Sequence, residues 1–96
     1  MSAPLITTQS RARVLVVEDA EELQAIISTS LVADGFDVTL AGDGPTAVSS
    51  MRDTPTDIVV LDIGLPGMSG VEVCRQIRTF SDAYIVMLTA QTDETD

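Results

Sequence analysis

The sequence predicts an open α/β fold, a parallel β-sheet covered by helices on both faces. Three observations carry this. Short apolar runs of strand length alternate with amphipathic stretches at helical spacing. Glycine, proline and acidic residues punctuate the junctions. The chain has 96 residues, 45% hydrophobic and 21% charged, the composition of an ordinary globular protein with room for one domain. Alternation of this kind with short connections calls for parallel strands joined by right-handed crossovers.

Met1 to Ser10 is polar, small and aperiodic. Residues 1–12 are read as a disordered tail ahead of one domain over residues 13–96. Arg13 to Val17 is an apolar run with three valines, which suits a strand buried on both faces. Glu18 and Asp19 end it abruptly. Leu23, Ile26, Ile27 and Leu31 recur at helical spacing as far as Asp34-Gly35, a C-terminal stop signal. Phe36 to Leu40 reads as a second strand. Gly42-Asp43-Gly44-Pro45 is a turn with proline placed for a first helical position. Ala47, Val48 and Met51 mark one face of the short helix that follows, and Asp53-Thr54-Pro55 breaks it.

Ile58 to Leu61 is a third strand, ending in Asp62, and a Gly/Pro loop runs from Gly64 to Met68. Ser69 with Glu72 is a capping-box pattern, behind which Val73, Cys74, Ile77 and Phe80 line one helical face. Ser81-Asp82 turns the chain into a fourth strand, Tyr84 to Leu88, which ends at Thr89. Thr92 to Asp96 reads as the opening of another helix.

Composition excludes several kinds of chemistry. Five arginines, no lysine and fifteen acidic residues give a formal net charge of −10. Such a surface repels nucleic-acid phosphates and anionic lipid, so direct contact of this segment with either is not expected. Without lysine or histidine there is no Schiff-base lysine, no Walker-type P-loop, no Ser-His-Asp triad and no histidine metal site. Cys74, the only cysteine, cannot form an internal disulfide and fits a reducing cytoplasm. The apolar runs fall far short of the roughly 18 residues of a membrane span.

In open α/β sheets, sites lie at the carboxyl ends of the strands. Here those ends carry Glu18 and Asp19, Asp62, and Thr89. If the first and third strands are neighbours, three carboxylates converge. Two carboxylates about 4 Å apart repel by roughly 4 kcal/mol at an effective dielectric near 20, so the trio calls for a cation or a proton. A hard divalent ion with oxygen ligands, Mg²⁺ above all, satisfies it. A remaining carboxylate oxygen can then attack a phosphoryl group, and Thr89 can donate a hydrogen bond to the product. Each residue also has a plain role. Asp19 with Glu22 forms a capping pair for the first helix, Glu18 is a solvated strand-end charge, Asp62 a turn residue and Thr89 a β-former. Asp43 is an ordinary helix-start residue. Gly64, Gly67 and Gly70 are backbone devices. The plain readings leave the convergence at three strand ends as coincidence.

Val14-Leu15-Val16-Val17-Glu18-Asp19, then Asp62-Ile63-Gly64-Leu65-Pro66-Gly67-Met68-Ser69-Gly70, then Met87-Leu88-Thr89-Ala90 closely resemble the receiver (CheY-like) domain of two-component response regulators. The resemblance runs from about Arg13 to Asp96. It implies a flavodoxin-like doubly wound sheet with strands in the order 2-1-3-4 as far as this chain goes. It implies that Asp62 accepts a phosphoryl group from a sensor histidine kinase. Asp19 and Asp62 would ligate Mg²⁺ directly, Glu18 through water, and Gly64 through its backbone carbonyl. Thr89 would be the switch hydroxyl. The Leu65-Pro66-Gly67 stretch is similar to receivers that precede a DNA-binding output domain.

The resemblance also implies a fifth strand with an aromatic switch residue, a following lysine and two more helices, none of which this chain carries. It is therefore expected to be a piece of a longer bacterial regulator. Magnesium binding needs only residues that are present, whereas efficient phosphotransfer is expected to need the lysine. Its fourth strand, left at an edge, is expected to self-associate. Two alternatives remain at this point. A haloacid-dehalogenase-like phosphatase also uses a strand-end aspartate, but with a second aspartate where this chain has Gly64. The other is a receiver-like interaction domain that is not phosphorylated.

Overall fold

The computed structural model describes residues 11–88. The chain runs β1 (Arg13–Val17), α1 (Glu21–Ala33), β2 (Asp37–Ala41), α2 (Gly44–Asp53), β3 (Ile58–Asp62), α3 (Gly70–Arg78) and β4 (Tyr84–Leu88). All strand pairs are parallel, in the order β2-β1-β3-β4. This is the doubly wound order expected from the sequence, with β2 and β4 at the edges among the described residues. Thr89 and the helix expected over Thr92 to Asp96 lie outside the described residues. So do residues 1–10 of the expected tail. Ala12, within that tail, already accepts the Asp37 N–H through its carbonyl at 2.9 Å.

The sheet interior follows from strand alternation. Leu15, Val17, Val59 and Leu61 point to one face and meet Ala47, Val48 and Met51 of α2 and Val73 and Ile77 of α3. Each large side chain buried here contributes on the order of 2 kcal/mol. Val14 and Val16 are equally buried and point to the other face, which α1 covers. That cover is thin. None of the thirteen residues of α1 is buried, and Ile26 stays 63% exposed. Ile27 and Leu31 are half-buried while Leu23 and Ile26 face outward.

The helix ends are set by local chemistry. Gly35 takes a φ of +97° after α1, a conformation glycine adopts without a steric penalty. Asp43 caps α2, its carboxylate accepting the Thr46 N–H at 2.8 Å, with Pro45 in the first turn. Ser69 caps α3 by accepting the Glu72 N–H at 3.2 Å. The expected capping box is half made. The Glu72 carboxylate accepts instead from Arg75 at 2.8 Å and Gln76 at 3.0 Å.

Register positions the site. Val17 lies opposite Leu61, so Glu18, one residue on, stands beside Asp62 at the carboxyl rim of the two central strands.

Candidate functional site

Glu18, Asp19 and Asp62 each offer a carboxylate oxygen, all within 4.8 Å of one another. Glu18 and Asp62 are buried, 3% and 6% exposed, while Asp19 is open to solvent. The convergence of the three carboxylates expected at the ends of β1 and β3 is therefore present, while Thr89 lies outside the described residues.

Local backbone holds each group. Glu18 continues the β1–β2 pairing, its N–H donating to the Ala41 carbonyl at 3.0 Å. Its Oε2 accepts the Ala20 N–H at 3.0 Å. Asp62 closes β3, and its Oδ1 accepts the Gly64 N–H at 3.1 Å. Gly64 thus reaches the site through its amide. Burial pushes the Glu18 carboxyl above its ordinary value. The charges of Asp62 and Asp19 push the same way, and the Ala20 N–H pulls against them.

The capping role open to Asp19 is not taken. The N-cap of α1 is Ala20, with no side-chain cap hydrogen bond. Asp19 sits one position too early to cap, and its carboxylate belongs to the acidic trio instead. Asp43, by contrast, is the ordinary helix-start residue expected of it.

Two features have no clear mark in the sequence. The Gln24 carboxamide donates to the Glu18 carbonyl at 3.1 Å, yet a glutamine in the first turns of an amphipathic helix reads as a solvent-facing residue. Gly44, at the start of α2, leaves no room for a Cβ, which would stand 2.9 Å from Met68 Cβ and 2.8 Å from Val73 Cγ2. The loop after Asp62 therefore rests on the N-terminus of α2.

The pocket fits a divalent ion. Ligand oxygens on one Mg²⁺ stand on the order of 3–4 Å apart, given Mg–O distances of about 2.1 Å. A trio within 4.8 Å needs only small side-chain rotations to reach that spacing. All the donors are hard oxygens, and a cation would offset both the burial and the repulsion that raise the Glu18 carboxyl.

A parallel sheet in this order, with an acidic trio at the rim of its central strands, defines a doubly wound α/β protein with a strand-end acidic pocket. The response regulator receiver domain family matches residues 14–96, and the chain belongs to that family. It is 45% identical over 86 residues to the DNA-binding response regulator MtrA of Mycobacterium tuberculosis, covering 90% of this chain and 38% of that protein. It is 45% identical over 83 residues to the sensory transduction protein RegX3 of Mycolicibacterium smegmatis, covering 86% of this chain and 36% of the relative. The chain thus spans well under half the length of these curated relatives. Among solved structures it resembles response regulator protein TrrA of Thermotoga maritima in complex with Mg(2+)-BeF, with a TM-score of 0.80, 35% identity, and coverage of 84% of this chain and 71% of that one. It also resembles chemotaxis response regulator CheY4 of Vibrio cholerae, with a TM-score of 0.82, 30% identity, and coverage of 88% and 72%. The chain is thus a receiver unit of the two-component kind, and the curated relatives named here are bacterial. Among the described residues, no helix is long and apolar enough to cross a membrane.

Proposed function

We propose that Asp62 is the phosphoacceptor of this receiver and that it takes its phosphoryl group from a phosphohistidine on a sensor histidine kinase. The observation that carries this is the buried Asp62 carboxylate at the end of β3, within 4.8 Å of ligand oxygens from Glu18 and Asp19. One Asp62 carboxylate oxygen attacks phosphorus, the bond from phosphorus to the imidazole nitrogen breaks, and that electron pair stays with the departing imidazole. Asp62 has an oxygen held by the Gly64 N–H at 3.1 Å, which orients the carboxylate and leaves its other oxygen for the attack.

Glu18, Asp19, Asp62 and the Gly64 carbonyl would hold Mg²⁺. When bound, the ion supplies positive charge against the transferring oxygens. Thr89, the proposed switch hydroxyl, follows Leu88 at the end of β4. The solved relative with Mg(2+)-BeF supports both the ion and the phosphoryl chemistry. MtrA is a DNA-binding response regulator, which supports a DNA-binding output in a longer protein, with residues 13–96 as the receiver unit and the bacterial cytoplasm as its place. The segment itself acts as a substrate of the kinase and not as a classical enzyme. Tyr84, 70% exposed on β4, which lies at the sheet edge among the described residues, supports self-association through that strand.

Incubation of the full-length regulator with Mg²⁺ and a small acyl phosphate is expected to give one labile phosphoryl adduct by intact mass. The adduct disappears in Asp62→Asn and when the ion is chelated. An adduct that persists in Asp62→Asn, or none at all, refutes the assignment.

A further inference from the structure

We propose that Gln24 is a positioning residue of the acidic pocket, its carboxamide fixing the direction in which Glu18 and Asp19 present their carboxylates to Asp62. The inference rests on the metal-binding reading above and goes beyond it by naming what holds the pocket in shape. Gln24 Nε2 donates to the Glu18 carbonyl at 3.1 Å and to the Ala41 carbonyl at 3.4 Å. Both partners only accept, so the NH₂ end of the amide must face them. Glu18 is the first residue after β1 and Ala41 the last of β2, and they are already joined by the Glu18 N–H at 3.0 Å. One side chain from α1 therefore ties two strand ends at the rim of the site.

Weak apolar anchoring makes this tie matter. No residue of α1 is buried, and the helix has no side-chain N-cap, so packing alone does little to fix its first turn. The Glu18 carbonyl belongs to the peptide joining Glu18 to Asp19. Its direction sets the orientation of that peptide and hence of the two flanking side chains. Beyond it, the Ala20 N–H fixes Glu18 Oε2 at 3.0 Å. With the carboxamide removed, the Glu18–Asp19 peptide is free to turn, and two of the three carboxylates lose their placement together.

The test is calorimetric titration of MgCl₂ into this chain, into Gln24→Met (similar length, no donor) and into Thr56→Val. Thr56 is buried at the opposite end of β3 and serves as the control for a general loss of stability. Gln24→Met is expected to weaken Mg²⁺ binding about tenfold, the low end of what removing a hydrogen-bond partner costs a metal site, while Thr56→Val binds as the native chain does. In the native chain, the side-chain amide resonance of Gln24 is expected to shift along the Mg²⁺ titration with the same midpoint as the Ala20 N–H. That measurement decides the matter if Gln24→Met does not fold. Native affinity in folded Gln24→Met, or a Gln24 amide that ignores the ion, overturns the inference while leaving the pocket intact if Asp62→Asn still abolishes binding. A native chain that binds no Mg²⁺ overturns the pocket and the inference together.

Discussion

Replacing Gly70 with alanine is expected to damage both the fold and the pocket. A Cβ at Gly70 would stand 2.7 Å from the Asp62 carbonyl oxygen and 2.8 Å from Ile63 Cα. Ordinary contact begins near 3.4 Å, so the two backbones must part by about 0.7 Å. No flexible side-chain end is available to yield, because both obstacles are main chain. Forcing such a fit costs ~1–3 kcal/mol. The Gly70 N–H also donates to the Ile63 carbonyl at 3.1 Å, and stretching that bond adds ~1 kcal/mol. Alanine regains up to ~1 kcal/mol because it loses less freedom than glycine in a helix. The balance is a net loss of ~1–3 kcal/mol, a large share of the stability of a small domain.

Two glycines of the loop before it serve as controls. Gly64→Ala meets nothing closer than Asp62 Oδ1 at 3.9 Å and is expected to be nearly neutral. Gly67→Ala has open space but a φ of +79°, which costs a residue with a side chain ~1–2 kcal/mol. Urea unfolding followed by far-ultraviolet circular dichroism suits a chain with one tyrosine and no tryptophan. The expected midpoints place Gly64→Ala near the native chain, with Gly67→Ala and Gly70→Ala below it. Of these two, only Gly70→Ala also weakens Mg²⁺ binding, because only there does the substitution press on Asp62 itself. A Gly70→Ala chain with native midpoint and native Mg²⁺ affinity refutes the steric argument.

Glu18 has a raised pKa in the ion-free protein, so between its ordinary value of 4.5 and the folded value the native state binds more protons than the unfolded chain. Its contribution to stability is therefore full below 4.5 and is lost as pH rises through the folded value. Thermal melts of the ion-free chain should show this slope, and Glu18→Gln should remove it. Mg²⁺ binding in that window should release a proton, seen as a dependence of the titration heat on buffer ionisation enthalpy. Ile77→Ala, at a fully buried position, should lower stability by ~2–5 kcal/mol in urea melts, whereas Ile26→Ala, 63% exposed on α1, should cost far less. Equal losses would mean that α1 is buried in solution. Ser69→Ala should cost ~1 kcal/mol through loss of the α3 cap.

The strands were legible because apolar runs bounded by acidic and glycine residues leave few alternatives. β1 spans Arg13–Val17 as the run itself does. The site was legible for a related reason. A residue that ends a strand in a parallel sheet has its location fixed by topology before any side chain is placed, so Glu18, Asp19 and Asp62 could be brought together from the strand order alone. What was not legible depends on contacts between elements. The collision at Gly70 requires the loop to fold back on Asp62, and the seat of Met68 on Gly44 requires α2 and the β3–α3 loop to meet. Asp19 was open to a capping role because sequence spacing cannot resolve a shift of one residue at a helix start. The exposure of Ile26 depends on what lies against that side of α1, which periodicity does not encode.

The two sides of the pocket are fastened in different ways, and the difference bears on signalling. Glu18 is tied to β2 through the Ala41 carbonyl and to α1 through Gln24. Asp62 is followed by Ile63, whose carbonyl accepts the Gly70 N–H at 3.1 Å and whose N–H donates to the Leu88 carbonyl at 3.0 Å. The residue after the proposed phosphoacceptor is thus bonded to the start of α3 on one side and to the end of β4 on the other. Leu88 immediately precedes Thr89. A change in charge or bulk at Asp62 therefore bears on a backbone already linked to two elements, one of which leads directly to the proposed switch hydroxyl. The Glu18 side offers no comparable lead, since its ties run to β2 and α1. If phosphorylation at Asp62 is transmitted, the path of least displacement runs through Ile63, and amide exchange at Ile63 and Gly70 should respond to the adduct before exchange at Glu18 does.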